Sequence, residues 1–137
     1  TKQLNFFLLE DKLAIVDMPG YGYAKTSRSD VNQWKKLSFG YFDNSPKLKR
    51  VFLLIDVRRG LAEKDLEIID ILNKIPVNFQ IILTKSDELK DDEIKETLSK
   101  VQEDSIKYPA MNPKILVSSS KYNTAIEEIK NEIIALC

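Results

Sequence analysis

Three short clusters in this chain carry groups able to meet a phosphate, a metal ion and a nucleobase. The first is Asp17-Met18-Pro19-Gly20, an acid three residues before a glycine at the end of the apolar run Leu13–Val16. A carboxylate closing a buried strand can hold a magnesium ion through water, and a glycine N–H with no Cβ in its way can approach a terminal phosphate. The second is Thr84-Lys85-Ser86-Asp87. A carboxylate's two oxygens match the ring N1–H and the exocyclic amino group of guanine, a donor pair that adenine lacks. The lysine stem beside it can lie along the base plane. The third, Ser118-Ser119-Ser120-Lys121, would turn backbone N–H groups toward the guanine carbonyl. Taken singly, each cluster is equally what a strand-ending turn or a helix cap looks like, because Asp, Ser and Thr favour both. Three of them at the same end of successive strands are harder to assign to capping alone.

Composition narrows the chemistry. A length of 137 residues suits one domain with one core. Lys and Arg together number 21, as do Asp and Glu, so no global charge points to nucleic acid or to a membrane surface. There is no histidine, which excludes His-based acid–base chemistry and His-ligated zinc within these residues. The one cysteine, Cys137, allows no internal disulfide. No apolar run approaches the length of a membrane span, and no signal-peptide pattern opens the sequence, so the cytoplasm is the expected compartment.

The elements that must position the clusters follow from hydrophobic patterning. Residues 4–9 and 13–16 are strand-like runs joined by Glu10-Asp11-Lys12, a hairpin pattern. A helix is expected over 30–42, with Asp30 as cap and an untidy set of bulky residues, Val31, Trp34, Leu37, Phe39 and Tyr41. Val51–Ile55, ending in Asp56, predicts a strand buried on both faces. Leu66, Ile69, Leu72 and Ile75 mark a helix that Pro76 ends. A strand over 77–83 is followed by a helix over 91–106, with Ile94, Leu98 and Val101 on one face. A strand over 114–117 precedes a last helix with Ile126, Ile129, Ile133 and Leu136. Strands alternating with helices predict an α/β fold: a mostly parallel sheet with helices on both faces and one antiparallel edge. In such a sheet ligands bind beyond the carboxyl ends of the strands, where all three clusters fall.

The ordered set Asp17-Met-Pro-Gly20, Thr84-Lys-Ser-Asp87 and Ser119-Ser-Lys121 resembles the later motifs of a translation-factor-class P-loop GTPase. The longer string Asp17-Met-Pro-Gly-Tyr-Gly-Tyr-Ala-Lys25 resembles the EngB/YihA/YsxC family more closely than GTPases in general. Asn5-Phe6-Phe7, Trp34, Asp56-Val-Arg-Arg-Gly60 and Asp65 fit the same family. The resemblance implies GTP or GDP with Mg2+ as cofactors and a three-layer P-loop GTPase fold. It implies Thr1 as a direct magnesium ligand and Asp17 as a ligand through water, with Gly20 sensing the γ-phosphate. Lys2, Gln3, Met18 and Pro19 would line the nucleotide beside them. Thr84, Lys85, Ser86 and Asp87 would recognise guanine, and Ser118, Ser119, Ser120 and Lys121 would close over the base. The role of Arg58 and Arg59 does not follow from the family pattern, and surface ion pairs serve equally well. The family is associated with normal cell division and septation and with assembly of the large ribosomal subunit. A transient ribosomal RNA or protein partner is therefore implied; no membrane span and no DNA are expected.

The chain departs from the pattern in three places. No Gly-Lys-Ser/Thr string occurs, and the four glycines are Gly20, Gly22, Gly40 and Gly60. Without that loop there is no cradle for the β-phosphate. The start at Thr1 is expected to lie inside a longer protein, with a strand, its loop and a helix missing, on the order of 30 residues or more. In the family's sheet that strand lies between those ending at Asp17 and Asp56. Its removal is expected to leave two open edges and an apolar groove. The family residues here are therefore expected to be one GTPase domain, truncated at its N-terminus and inactive alone. Tyr21 stands where Ras-like enzymes place a water-orienting glutamine, so the resemblance implies slow intrinsic hydrolysis aided by a partner, a monovalent cation or another residue. Ala125 stands where the family usually has glycine. Two readings of other classes stay open: a non-enzymatic interaction domain with a degenerate GTPase-like fold, and, less well fitted, a response-regulator-like domain.

Overall fold

The computed structural model describes residues 4–18, 20, 21, 28–75 and 77–137. Contacts divide the chain into two compact units, residues 1–48 with Cys137, and residues 49–136.

In the first unit, β1 (Asn5–Leu9) and β2 (Leu13–Asp17) pair antiparallel, with Leu9 opposite Leu13 and Asn5 opposite Asp17. The connection is the expected three-residue charged loop. Glu10 and Asp11 both take left-handed backbone conformations (φ 49° and 56°), and the Lys12 N–H closes the turn on the Leu9 carbonyl at 3.0 Å. α1 (Arg28–Asp43) follows. Its register becomes orderly once Ser38 is counted with the core. Among its described side chains Trp34, Ser38 and Phe42, four apart, are the buried ones, while Phe39 turns outward. Tyr41 meets Phe6 edge-on at 6.1 Å. The expectation of a buried strand before Asp17 is not met: Ala14, Ile15 and Asp17 are exposed. Among the described residues β2 hydrogen-bonds only to β1, and one helix cannot cover both faces of a two-stranded sheet.

Gly40 lies inside α1, exposed, and a Cβ built on it would meet nothing within 4 Å. Gly40→Ala is therefore expected to raise stability by about 1 kcal/mol, because alanine loses less backbone freedom in a helix. A higher urea midpoint with an unchanged slope is the result that checks it.

In the second unit β3 (Val51–Asp56), β4 (Phe79–Thr84) and β5 (Leu116–Val117) form a parallel sheet in that spatial order. Between β3 and β4 runs α2 (Glu63–Lys74), and between β4 and β5 runs α3 (Asp91–Ser105); α4 (Ile126–Ile134) comes last. Both crossovers step the same way across the sheet, so right-handed connections lay α2 and α3 on one face. There Leu53, Ile55, Phe79, Ile81 and Leu83 are buried together with Ile68, Ile69, Leu72 and Val101 of the helices. α2 starts where the Asp65 carboxylate accepts the Ala62 N–H at 2.8 Å, a cap supplied from inside the helix.

The other face is held by α4. Glu132 accepts from Arg50 Nη1 at 2.9 Å and pairs with Lys114 Nζ at 2.9 Å. The same Arg50 nitrogen donates to Gln80, whose own amide donates to the Lys114 carbonyl at 2.9 Å. Leu54, on this face beside Ile82, is 62% exposed, which corrects the expectation that β3 is buried on both sides. β3 is an edge of the three-stranded sheet among the described residues, and a single helix on that face leaves Leu54 uncovered. β5 is also shorter than the predicted 114–117. Met111 pairs with Phe79 and Leu116 with Ile82, so five steps of chain stand opposite three. The surplus bulges at Asn112-Pro113, where proline has no N–H to give and the Asn112 carboxamide takes the Lys114 N–H instead. No helix among the described residues is long and apolar enough to cross a membrane.

Candidate functional site

The parallel register brings three strand ends together in the second unit. Asp56 stands opposite Thr84, and Leu83 opposite Val117. Beyond β4 the chain turns sharply: Lys85 adopts a left-handed conformation (φ 60°), and Ser86–Glu88 form one 3-10 turn. That backbone is costly for a residue with a Cβ and persists because neighbours hold it. The Lys85 carbonyl accepts the Glu88 N–H at 3.0 Å, and the Ser86 N–H donates to the Ser118 carbonyl at 3.1 Å. Ser118 is in turn tied to β4, its N–H donating to the Leu83 carbonyl at 2.7 Å. The loop after β5 closes on itself through Ser119 and Thr124, which exchange two backbone hydrogen bonds.

These turns place two side chains in contact across 32 residues of sequence. The buried Ser119 hydroxyl donates to Asp87 Oδ1 at 2.7 Å and accepts the Tyr122 N–H at 3.3 Å. The hydroxyl proton is thereby committed to the carboxylate and fixes its plane. This hydrogen bond, with the nearby charges of Lys121 and Arg58, holds the Asp87 carboxyl below the usual aspartate range. At neutral pH Asp87 is an oriented, ionised acceptor at the rim of the sheet. Ser120 and Lys121 are exposed in the loop that follows, and the Lys121 ammonium lies over the Tyr122 ring at 5.4 Å. Thr84 is half-buried, its hydroxyl reaching the Ile55 carbonyl at 3.4 Å.

Asp56 adds a group that the strand pattern located without a role. Arg58 donates its backbone N–H (2.9 Å) and its Nε (3.1 Å) to Asp56 Oδ1, and its Nη2 (2.7 Å) to Oδ2. This grip pulls the Asp56 carboxyl down to about 2. The signal in the sequence was an acid ending a parallel strand with an arginine two residues on.

In the first unit Asp17 ends β2, exposed, with half-buried Met18 and exposed Gly20 after it. Tyr21 meets Trp34 edge-on at 5.2 Å. Thr1, Lys2, Gln3 and Pro19 lie outside the described residues. The second cluster and the third are thus joined into one site, while the first belongs to a separate unit.

No family model matches the chain. Over all 137 residues it is 40% identical to the "Probable GTP-binding protein EngB" of Caulobacter vibrioides (strain NA1000 / CB15N), of which it spans 60%. The crystal structure of a probable GTP-binding protein engB superposes on 99% of the chain and 80% of that protein, with a TM-score of 0.78 at 20% identity. Translation elongation factor SelB from Methanococcus maripaludis, in complex with the GTP analogue GppNHp, covers 99% of the chain with a TM-score of 0.74 at 22% identity, the match taking in 28% of SelB. The two structural likenesses concern the fold, that of P-loop GTPases. By sequence, these 137 residues are similar over their whole length to GTP-binding proteins named EngB, and they span about three fifths of the relative from Caulobacter.

Proposed function

We propose that the full-length protein is a GTP-binding switch that hydrolyses GTP to GDP, and that these residues belong to its GTPase domain. One observation carries the reading: the Asp87 carboxylate, ionised and held by Ser119, at the meeting point of two parallel strand ends. Such a group suits the N1–H and amino pair of guanine. Lys85 would lie along the base, with Thr84 and Ser86 shaping the turn, and Ser118 to Lys121 would close over it. The donor set present here fits the base of a nucleotide. The triphosphate would be met by Asp17, Met18, Pro19 and Gly20, with Thr1, Lys2 and Gln3. Magnesium, when bound, neutralises phosphate charge; Asp17 would hold it through water and Thr1 directly. These 137 residues carry no Gly-Lys-Ser/Thr string to cradle the β-phosphate. No catalytic residue is assigned.

Family resemblance further supports a cytoplasmic protein needed for normal cell division and septation. Its partner would be the large ribosomal subunit, met transiently through RNA or protein.

The test is titration of the full-length gene product with GDP and ADP in the presence of magnesium. Tight GDP binding with ADP at least about a hundredfold weaker is expected, since adenine leaves the carboxylate unpaired. Equal affinity for both, or binding of neither, would sink the reading and favour an interaction domain without nucleotide.

A further inference from the structure

Lys85 is a member of the base-recognition cluster whose long side chain the main chain alone does not aim. It is more than half exposed, and a free lysine samples many rotamers that must be given up when it is ordered. The structure supplies an aiming group. Lys85 Nζ lies 3.7 Å from Asp56 Oδ2, the oxygen that also receives Arg58 Nη2. Asp56 itself is immobilised by three hydrogen bonds from a single residue, and its side chain is only 16% exposed. An isolated surface pair between flexible side chains contributes little, but here the anion is rigid before the lysine meets it.

We propose that the Asp56–Arg58 pair is a positioning device for Lys85. It holds the ammonium at the end of β3 so that the lysine stem is extended across the face where guanine lies. The inference rests on the guanine-nucleotide reading above. Its division of labour is explicit. Asp87 reads the edge of the base and so decides which base binds. The Asp56–Arg58–Lys85 chain acts on the face of the ring, which any purine presents equally. Arg58 acts through its fork, which orients Asp56.

The pairing makes a distinctive kinetic and equilibrium signature. Loss of Asp56 should weaken guanosine and inosine diphosphates by the same factor, because both keep a purine face and differ only at the edge. A collapse of the 84–87 turn would instead disturb Asp87 and change the ratio between the two.

The experiment is a double-mutant cycle on the full-length protein, reading dissociation constants for GDP and IDP with wild type, Asp56→Asn, Lys85→Ala and the double variant. Asp56→Asn is expected to weaken both nucleotides about fivefold to tenfold with their ratio unchanged, and the effect should vanish in the Lys85→Ala background. Arg58→Gln, a change at a half-exposed side chain, serves if Asp56→Asn does not fold. It should weaken both nucleotides about twofold to fivefold, again only when Lys85 is present. Unchanged affinity in Asp56→Asn or Arg58→Gln, strictly additive losses, or a changed GDP-to-IDP ratio would each overturn the positioning role. A wild-type protein that binds no GDP would overturn the guanine reading itself, and is told apart by needing no variant.

Discussion

Asp87→Asn is expected to weaken GDP binding by about a hundredfold to a thousandfold, the cost of exchanging two charge-assisted hydrogen bonds for one neutral one and a donor facing a donor. The turn itself should survive. Ser119 donates to Oδ1 at 2.7 Å, and an asparagine carbonyl oxygen in that place accepts the same proton. The loss would therefore report recognition and not the collapse of the loop. A second consequence follows from the same geometry. Asparagine offers one acceptor and one donor, which matches a base with a ring N–H beside a carbonyl. The variant should gain affinity for xanthosine diphosphate as it loses affinity for GDP. Isothermal titration of the full-length protein with both nucleotides reads this directly. A GDP affinity within about threefold of wild type would remove Asp87 from the site.

The largest stability effect is expected at the opposite end of the sheet. Gln80 is fully buried in β4 and links three elements. Its carbonyl oxygen takes Arg50, which also serves Glu132 of α4, and its amide serves the Lys114 carbonyl where the β5 backbone bulges away from the ladder. The side chain thus replaces a strand-pairing bond that the Asn112-Pro113 bulge has removed. Gln80→Leu keeps nearly the same volume but strands the Lys114 carbonyl and takes one acceptor from Arg50, whose Nε is already buried with no partner among the described residues. A loss of about 2–4 kcal/mol is expected, because buried polar groups left unpaired bear their full desolvation cost. Urea denaturation checks it through a lower midpoint at an unchanged slope. A change below about 0.5 kcal/mol would mean that Glu132 alone anchors Arg50 and that water serves the Lys114 carbonyl.

The elements were legible because each is announced by its own residues. Apolar runs mark β1 to β4, and isoleucines and leucines spaced three or four apart mark α2 and α4. Hairpin and crossover order followed from chain order alone. The clusters at residues 84–87 and 118–121 were legible as candidates from their common place at parallel strand ends, and the structure brings them into contact through Ser119 and Asp87. What misled was burial. A continuous apolar strand such as Val51–Ile55 predicts cover on both faces, yet cover depends on which elements lie beside it, and Leu54 has none. The strand at 114–117 was misjudged because a bulge depends on the partner strand's register, and no local pattern encodes that.

By itself the sequence determined the alternation of strands and helices, the family resemblance, and the residue types offered at each strand end. These depend on neighbours a few positions away, where propensity and periodicity act. Only the tertiary structure decided that Ser119 grips Asp87, that Arg58 locks Asp56, and that Asp56 reaches Lys85. The first and last of these contacts join residues 32 and 29 positions apart through the register of parallel strands, and the Arg58 grip sets the carboxylate that Lys85 meets. Register is a balance among many weak packing terms summed over the whole sheet, so no single stretch of chain contains it.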